Sequence, residues 1–410
     1  MEKDKHIPQL RFPEFKKDWE RKRLGDLGIF SGGGTPDTAV LKYWKGNIPW
    51  ISSSDIMEDT IQKIEISRFI TQEAVEKSAT KIIPENSILM VSRVGIGKFA
   101  VSKQPLCTSQ DFTNLIPSSD SPCFLAYYFK LKSNRFLRYS QGTSIKGFTV
   151  SDIRTMNFFI PILEEQEKVS AFFTAIDQKV SQFKQKIKLL EQYKKGVMQK
   201  IFSQDIRFKD DIGKEFPKWT KKKLGEIGET YNGLSGKSKE DFGEGKPYIQ
   251  YKQIFDDSII DISRFDYVHI NSNEKQKKVL FGDVFFTVSS ETPNEIGMAS
   301  VLLESVDELY LNSFCFGYRS SHKILSPYFS RYLFRNESFR REIVKLAQGS
   351  TRYNMSKIEF MKMEVSIPTI PEQTKIADFL SAIDDKINHT HKQIEKAQVW
   401  KQGLMQQMFC

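Results

Sequence analysis

The chain has 410 residues, with 61 Lys and Arg against 51 Asp and Glu and a formal net charge of +10. That length predicts two or three domains, each able to bury its own core, and the basic excess favours a polyanionic partner without naming one. Cys107, Cys123, Cys315 and Cys410 lack Cys-x-x-Cys spacing, which argues against a structural zinc site and for a reducing compartment. No apolar run approaches the ~20 residues of a membrane span, and Met1 to Lys5 is not a signal peptide, so the expected location is cytoplasmic.

In chain order, Trp19 precedes a basic triplet, Arg21-Lys22-Arg23, and then Leu24-Gly25-Asp26. The triplet reads either as a solvated helix start or as a contact for a polyanion. A loop with Gly32-Gly33-Gly34 follows, then Ile48-Pro49-Trp50-Ile51. Trp44 and Trp50 suit packing better than base stacking. Val94-Gly95-Ile96-Gly97, between apolar strands, predicts a hairpin turn. Ser121-Pro122 starts an aromatic-rich helix, with Ser as cap and Pro at the first helical position.

From Glu164 onward apolar residues fall at Val169, Phe173, Ile176, Val180, Phe183, Ile187 and Leu190, and again at Val197 and Ile201 after Lys194. Steps alternating between four and three are the seam of a coiled coil. The predicted helix runs about 38 residues, or roughly 57 Å at 1.5 Å per residue.

The second half repeats the first. Trp219, Lys221-Lys222-Lys223 and Leu224-Gly225-Glu226 restate the opening, and Ser326-Pro327 restates the helix start. Two stretches of about 62 residues, opening at Gln141-Gly142 and Gln348-Gly349 about 207 residues apart, agree at about 19 positions. Both carry Ile-Pro, Glu-Gln (Glu165-Gln166, Glu372-Gln373), Ala-Ile-Asp (ending at Asp177, Asp384) and a late Gly-x-Met-Gln. The second seam is Ile376, Leu380, Ile383, Ile387, Thr390, Ile394, Ala397, Lys401, Leu404 and Met408, weakened at Thr390, Ala397 and Lys401. Two copies of so long a period mark a duplicated half-molecule rather than a solenoid. The expected architecture is α+β: two similar mixed α/β domains (1–160 and 206–367) joined by two long helices (161–205 and 368–410). The helices would form an antiparallel coiled coil, giving pseudo-two-fold symmetry. The alternative is that each helix lies on its own domain.

Catalytic signatures are missing. Gly32-Gly33-Gly34 fails the dinucleotide spacing, Gly95 to Lys98 has no following Ser or Thr, and Gly236-Lys237-Ser238 has Tyr231 where a P-loop needs Gly. The last two read as hairpin turns. The five histidines form no His-Glu-x-x-His, and no carboxylate pair is singled out by its context or by recurring in both halves. The chain reads as non-catalytic.

The order Arg11-Phe12-Pro13-Glu14-Phe15, Trp19, Leu24-Gly25-Asp26, Ile48-Pro49-Trp50-Ile51, with doubled Gln-Gly-Thr/Ser junctions and doubled Ile-Pro…Glu-Gln helix starts, resembles the DNA-specificity subunits of type I restriction–modification enzymes. The resemblance covers nearly the whole chain. It implies that each variable domain is a target-recognition domain reading one half of a split, asymmetric site in double-stranded DNA. The paired helices would set the gap and dock two methyltransferase subunits. S-adenosylmethionine, ATP and magnesium would be bound by those partners and by restriction–translocase subunits, with no cofactor or metal on this chain. The rivals are a free-standing repressor and an enzyme with a divergent nuclease site. The first would bind DNA selectively without partner subunits. The second would cut in a magnesium-dependent way, through specific carboxylates.

Reading bases takes donors and acceptors on loops that can enter a groove. In the first domain the candidates are Ser31, Gly33, Thr35, Ser52, Ser53, Ser54, Arg93, Lys98, Ser109 and Gln110. In the second they are Ser235, Lys237, Gln250, Tyr251, Lys252, Ser289, Ser290, Asn312 and Ser313. The junctions Thr143, Ser144 and Lys146, and Ser350, Thr351, Arg352 and Tyr353, are candidate backbone clamps or readers. Each has a structural competitor: loop Ser and Thr are commonly turn residues, and Arg93 could serve an ion pair.

Overall fold

The computed structural model describes residues 7–140 and 147–410. Thr143, Ser144 and Lys146 lie outside them. The chain forms two compact units: one takes the residues up to Lys186 together with Thr390–Cys410, the other Ile187–His389. Each unit is therefore one globular region, the first part of the long helix that leaves it, and the last part of the other long helix. The long helices are Leu163–Phe202, 40 residues, and Ile370–Met408, 39 residues.

The globular part of the first unit is built on two sheets. One has strand order Gly28–Gly32, Phe112–Pro117, Ile88–Val91, Phe99–Val101, all antiparallel. The other has order Arg68–Ile70, Ile48–Ile51, Leu106–Thr108, Ile82–Ile83, with Ile48–Ile51 and Leu106–Thr108 parallel. The uninterrupted apolar run Ile88-Leu89-Met90-Val91 follows from burial on both faces, since successive strand side chains point to opposite sides. Ile88 and Met90 join the aromatic core of Phe124, Tyr128, Phe129, Phe136 and Phe158, whereas Leu89 and Val91 join Ile51, Ile56, Leu106 and Phe112.

The second unit repeats the plan. Gly228–Asn232, Cys315–Ser320, Val284–Thr287 and Ala299–Val301 form its four-stranded sheet. Val284 and Phe286 face one core and Phe285 the other. Before the central strand each unit turns through a left-handed residue, Asn86 at φ 61° in the first and Gly282 at φ 85° in the second. Glycine takes that conformation freely, and Asn is among the few others that tolerate it.

The basic triplets are largely exposed strands that each run directly into a short helix, Leu24–Asp26 and Leu224–Ile227, with Arg23 and Lys223 at the N-caps. Glu20–Arg23 pairs antiparallel with Asn157–Ile160, and Thr220–Lys223 with Glu364–Ile367. Each is a strand lying on the segment that feeds a long helix, and Lys22 is tied to Asp120 at 3.0 Å. The repeated Glu-Gln pair sits where that helix begins. Arg11 reaches buried Glu165 through two bonds of 2.7 Å, as Arg207 reaches Glu372 at 3.1 and 2.7 Å. Gln166 accepts the Ser121 N–H and donates to Pro161 O; Gln373 does the same with Ser326 and Pro368. The doubled motif thus clamps helix, strand and aromatic helix together in each unit.

Within the first unit the long helices run antiparallel. Phe173 stacks on Phe409 with ring centroids 5.8 Å apart, while Asp177, one turn further on, meets Lys401. The seam residue Lys401 is 7 % exposed, and its ammonium also lies 5.0 Å from the Tyr127 ring. Tyr127 donates its hydroxyl to Asp177 at 2.7 Å. The second unit carries the same trio: Lys194 to Asp384 at 2.5 Å, Tyr332 to Asp384 at 2.9 Å, and Lys194 5.4 Å from the Tyr332 ring. Arg331 adds a second cation to Asp384 at 2.9 Å. The lysine that interrupts each heptad seam is matched by the Asp of the other helix's Ala-Ile-Asp. Burial, and then the neighbouring carboxylate, pushes the Tyr127 phenol well above its usual range, so it remains a donor.

Lys130, on the aromatic helix of the first unit, has a buried ammonium with no hydrogen-bond partner among the described residues. Burial, followed by the Lys401 charge, pulls it down to about 8. The unfolded chain, with its ordinary lysine, therefore binds more protons between about pH 8 and 10.5, and this group's contribution to stability rises with pH across that window. Lys130→Met is expected to stabilise the protein at pH 7 by on the order of 2 kcal/mol. The gain should shrink from pH 8 upward, as read from urea midpoints measured across pH.

Candidate nucleic-acid interface

In each unit the loop after the first sheet strand folds against one of the short turns that join the two sheets. In the first unit the turn is Ser109-Gln110-Asp111, between strands Leu106–Thr108 and Phe112–Pro117. Ser109 N–H donates to Ile51 O at 2.9 Å, Phe112 N–H to Ser109 O at 3.3 Å, and Gly34 N–H to Thr108 O at 2.8 Å. Gly33 packs so closely that a Cβ there would lie 2.0 Å from Ser109 O. Thr35 reaches Gln110. From the far side Ser92 and Arg93 donate backbone N–H groups to Asp111 O at 2.8 and 3.2 Å. Gly33, Thr35, Arg93, Ser109 and Gln110, separated in sequence, are thereby gathered at one edge.

The second unit builds the same edge from different residues. Asn312 N–H donates to Ile249 O at 3.1 Å, Cys315 N–H to Asn312 O at 3.2 Å, and Leu234 N–H to Leu311 O at 2.7 Å. A Cβ on Gly233 would lie 2.1 Å from Asn312 O. Ser289–Ser290 pairs with Tyr353–Met355, Ser290 opposite Tyr353, and this pairing matches the bridge between Arg93 and Gly147 in the first unit. Tyr251 donates to Ser289 O at 2.8 Å. A cavity of about 340 Å3 opens here, lined by Tyr251, Phe255, Ser289, Ser290, Glu291, Glu295, Phe314 and Arg352.

Side-chain availability differs sharply among the candidates. Arg93 is exposed and has no ion-pair partner among the described residues. Gln110, Ser54, Ser235, Lys252, Ser313, Ser350, Thr351 and Arg352 are exposed as well. Ser31 and Ser53 are half-buried. Lys98 pairs with Glu58 at 3.5 Å. Ser52 caps the short helix Ser53–Asp55, and Arg68 ties Asp55 down while stacking 4.6 Å over Trp50. Trp50 is buried and donates to Gly34 O at 2.9 Å, so it packs the loop. Ser109 and Ser290 are buried. Gln250 is held by Asp266, and the Ser235 backbone N–H donates to Gln276 Oε1 at 3.2 Å while its carbonyl accepts from Gln276 Nε2 at 2.9 Å.

Lys237 is turned inward, bonded to Glu274 at 2.7 Å and His269 O at 2.5 Å. Its segment is not the expected hairpin: it links Gly228–Asn232 to Phe242–Ile249, strands of different sheets. The inward ammonium ties the loop to the segment that follows the strand Asp266–Val268. The turn at Val94 to Gly97 does join neighbouring antiparallel strands. Val94 there is exposed at φ 37°, a strained conformation for a β-branched side chain. Phe314, an apolar residue at the tip of the second unit's turn, is not among the residues that sequence pattern marks as candidates. Its only sequence signal is its place beside Asn312-Ser313, where the first unit has Asp111.

The geometry defines a class: a duplicated α+β protein with a polar loop edge on each globular part, each part clamped to two antiparallel helices. The family model for the type I restriction modification DNA specificity domain matches residues 16–192 and 217–398. The chain belongs to this family, whose members give a restriction–modification complex its DNA sequence specificity while catalysis lies on other subunits. It is 28% identical over 401 residues to the type I restriction enzyme MjaIX specificity subunit of Methanocaldococcus jannaschii, covering 92% of this chain and 89% of that one. The EcoR124I/EcoR124II specificity subunit of Escherichia coli is 32% identical over 178 residues, 41% of this chain and 43% of that one. The crystal structure of the type I restriction–modification system S subunit from M. genitalium superposes with a TM-score of 0.58 at 14% identity, covering 98% of this chain and 99% of that one. A chain from a structural study of type I R-M complex assembly gives 0.59 at 18% identity, covering 95% of each.

Proposed function

We propose that each unit reads one half of a bipartite, asymmetric DNA site, and that the paired helices fix the gap and dock two methyltransferase subunits. Adenine methylation, with S-adenosylmethionine, would then be carried out by those subunits. ATP- and magnesium-dependent restriction would belong to translocase subunits, the whole acting in the cytoplasm. The observation that carries this reading is the contrast between framework and edge. The clamp residues Arg11/Arg207, Glu165/Glu372, Gln166/Gln373 and Asp177/Asp384 are the same in both units, whereas the turn tips, Gln110-Asp111 and Ser313-Phe314, differ. A protein that reads two different half-sites through one scaffold requires that division. No helix among the described residues is long and apolar enough to cross a membrane.

The readers would be side chains that approach base edges, Arg93 and Gln110 in one unit and Ser313 and Arg352 in the other, with Lys252 and the exposed junction residues Ser350 and Thr351 against phosphates. Arg pairs bidentately with guanine and Gln with adenine. Exchanging residues 232–255 for the loop of another family member should change one half-site and leave the other intact, as read by sequencing N6-methyladenine in cells. Simultaneous change of both half-sites would contradict modular reading.

A further inference from the structure

We propose that Phe314 reads the 5-methyl group of a thymine in the half-site bound by the second unit. The inference rests on the DNA-reading assignment above and names one contact within it. Phe314 is 59 % exposed. A lone exposed aromatic is unremarkable in itself; its setting is not. Its backbone is held at both ends: its N–H donates to Asn312 Oδ1 at 2.8 Å, and its carbonyl accepts from Val288 N–H at 3.1 Å. Phe314 forms part of the wall of two concavities, of about 340 and 330 Å3.

The fold does not need an aromatic side chain there. The same turn in the first unit has Asp111 in that place, with its N–H donated to Ser109 Oγ at 3.3 Å and its carbonyl accepting from Ser92 and Arg93. An apolar ring kept in water on a turn that is equally well built with a carboxylate adds nothing to the core. It gains free energy only when something apolar covers it. On a duplex, the apolar feature displayed among the donors and acceptors of the major groove is the thymine methyl. The polar neighbours Ser313 and Arg352 are placed to contact the flanking edges.

The test uses the complete methyltransferase complex and duplexes carrying its mapped site. Thymines of the second unit's half-site, on either strand, are replaced one at a time by uracil, which removes only the methyl group. Burying one methyl is worth about fourfold in affinity. The wild-type complex should lose about fourfold at one position, and the Phe314→Ala complex should show no loss there. In cells, Phe314→Ala should relax the methylated motif at that same base pair and leave the other half-site unchanged. Phe314→Leu, which keeps an apolar tip, should retain part of the preference.

Three results would overturn the proposal: a half-site lacking thymine on both strands, uracil tolerated everywhere by the wild type, or Phe314→Ala weakening all sequences equally. Equal weakening would mark Phe314 as a wedge or a packing residue. A complex with no sequence preference at all would instead sink the DNA-reading assignment on which the proposal rests.

Discussion

Asp177→Ala should destabilise the first unit by about 3–5 kcal/mol, because it leaves the Lys401 ammonium buried without its carboxylate. Asp177 accepts from Lys401 and, at 2.7 Å, from the Tyr127 hydroxyl, so the substitution strands two buried donors together. The control separates the worth of the pair from the penalty of breaking it. Asp177→Leu combined with Lys401→Leu removes both charges, and apolar replacement of a buried pair is frequently neutral or stabilising. The double variant should therefore recover most of the lost stability. What it should lose is register. A seam of Ile, Leu and Val tolerates a slip by one heptad, whereas a seam lysine that must meet one aspartate does not. Urea unfolding of the three proteins measures the first effect. Disulfide trapping across the helix pair, with cysteines placed for the native and the slipped register, measures the second. A loss below about 1 kcal/mol for Asp177→Ala would show that Lys401 finds water instead.

Inserting seven residues into each long helix, between Asp177 and Lys194 in the first and between Asp384 and Lys401 in the second, should lengthen the gap between half-sites by about three base pairs. Seven helical residues add about 10 Å, and the base-pair rise is about 3.4 Å. A heptad returns the seam to within about 20° of its original direction, and both Lys–Asp matches lie outside the insertions. The half-site sequences themselves should not change. A methylome showing the original gap would mean that the helices do not set the distance.

Much of the fold was legible because the chain states it twice. Heptad spacing after Glu164 and again after Glu372 gave the two long helices, and Ser-Pro gave the aromatic helices, Pro122–Leu131 and Pro327–Leu333. Each of these signals is local, a matter of residues three, four or one apart. That the basic triplets, which lead into short helices, are themselves strands was not legible, because a strand of four residues pairing with one far along the chain carries no local signature. Glu-Gln and Ala-Ile-Asp stood out as repeated, yet nothing in the sequence said why. Their partners, Arg11, Ser121 and Lys401 for the first copy, lie between 45 and 224 positions away.

The candidate interface was less legible for the same reason. Small polar loop residues look alike in sequence whether they cap a short helix, as Ser52 does, or stand free, as Ser54 does. Lys237 has the composition of a phosphate contact, but an inward carboxylate and carbonyl claim its donors.

By itself, the sequence determined the duplication, the two long helices, the family and the constancy of framework against variable middles, because repetition and periodicity are properties of residue order. Only the tertiary structure decided which side chains reach the candidate loop edge and which lysine of one helix answers which aspartate of the other. Those outcomes depend on hydrogen bonds and burial between segments distant in the chain, and no spacing rule encodes them.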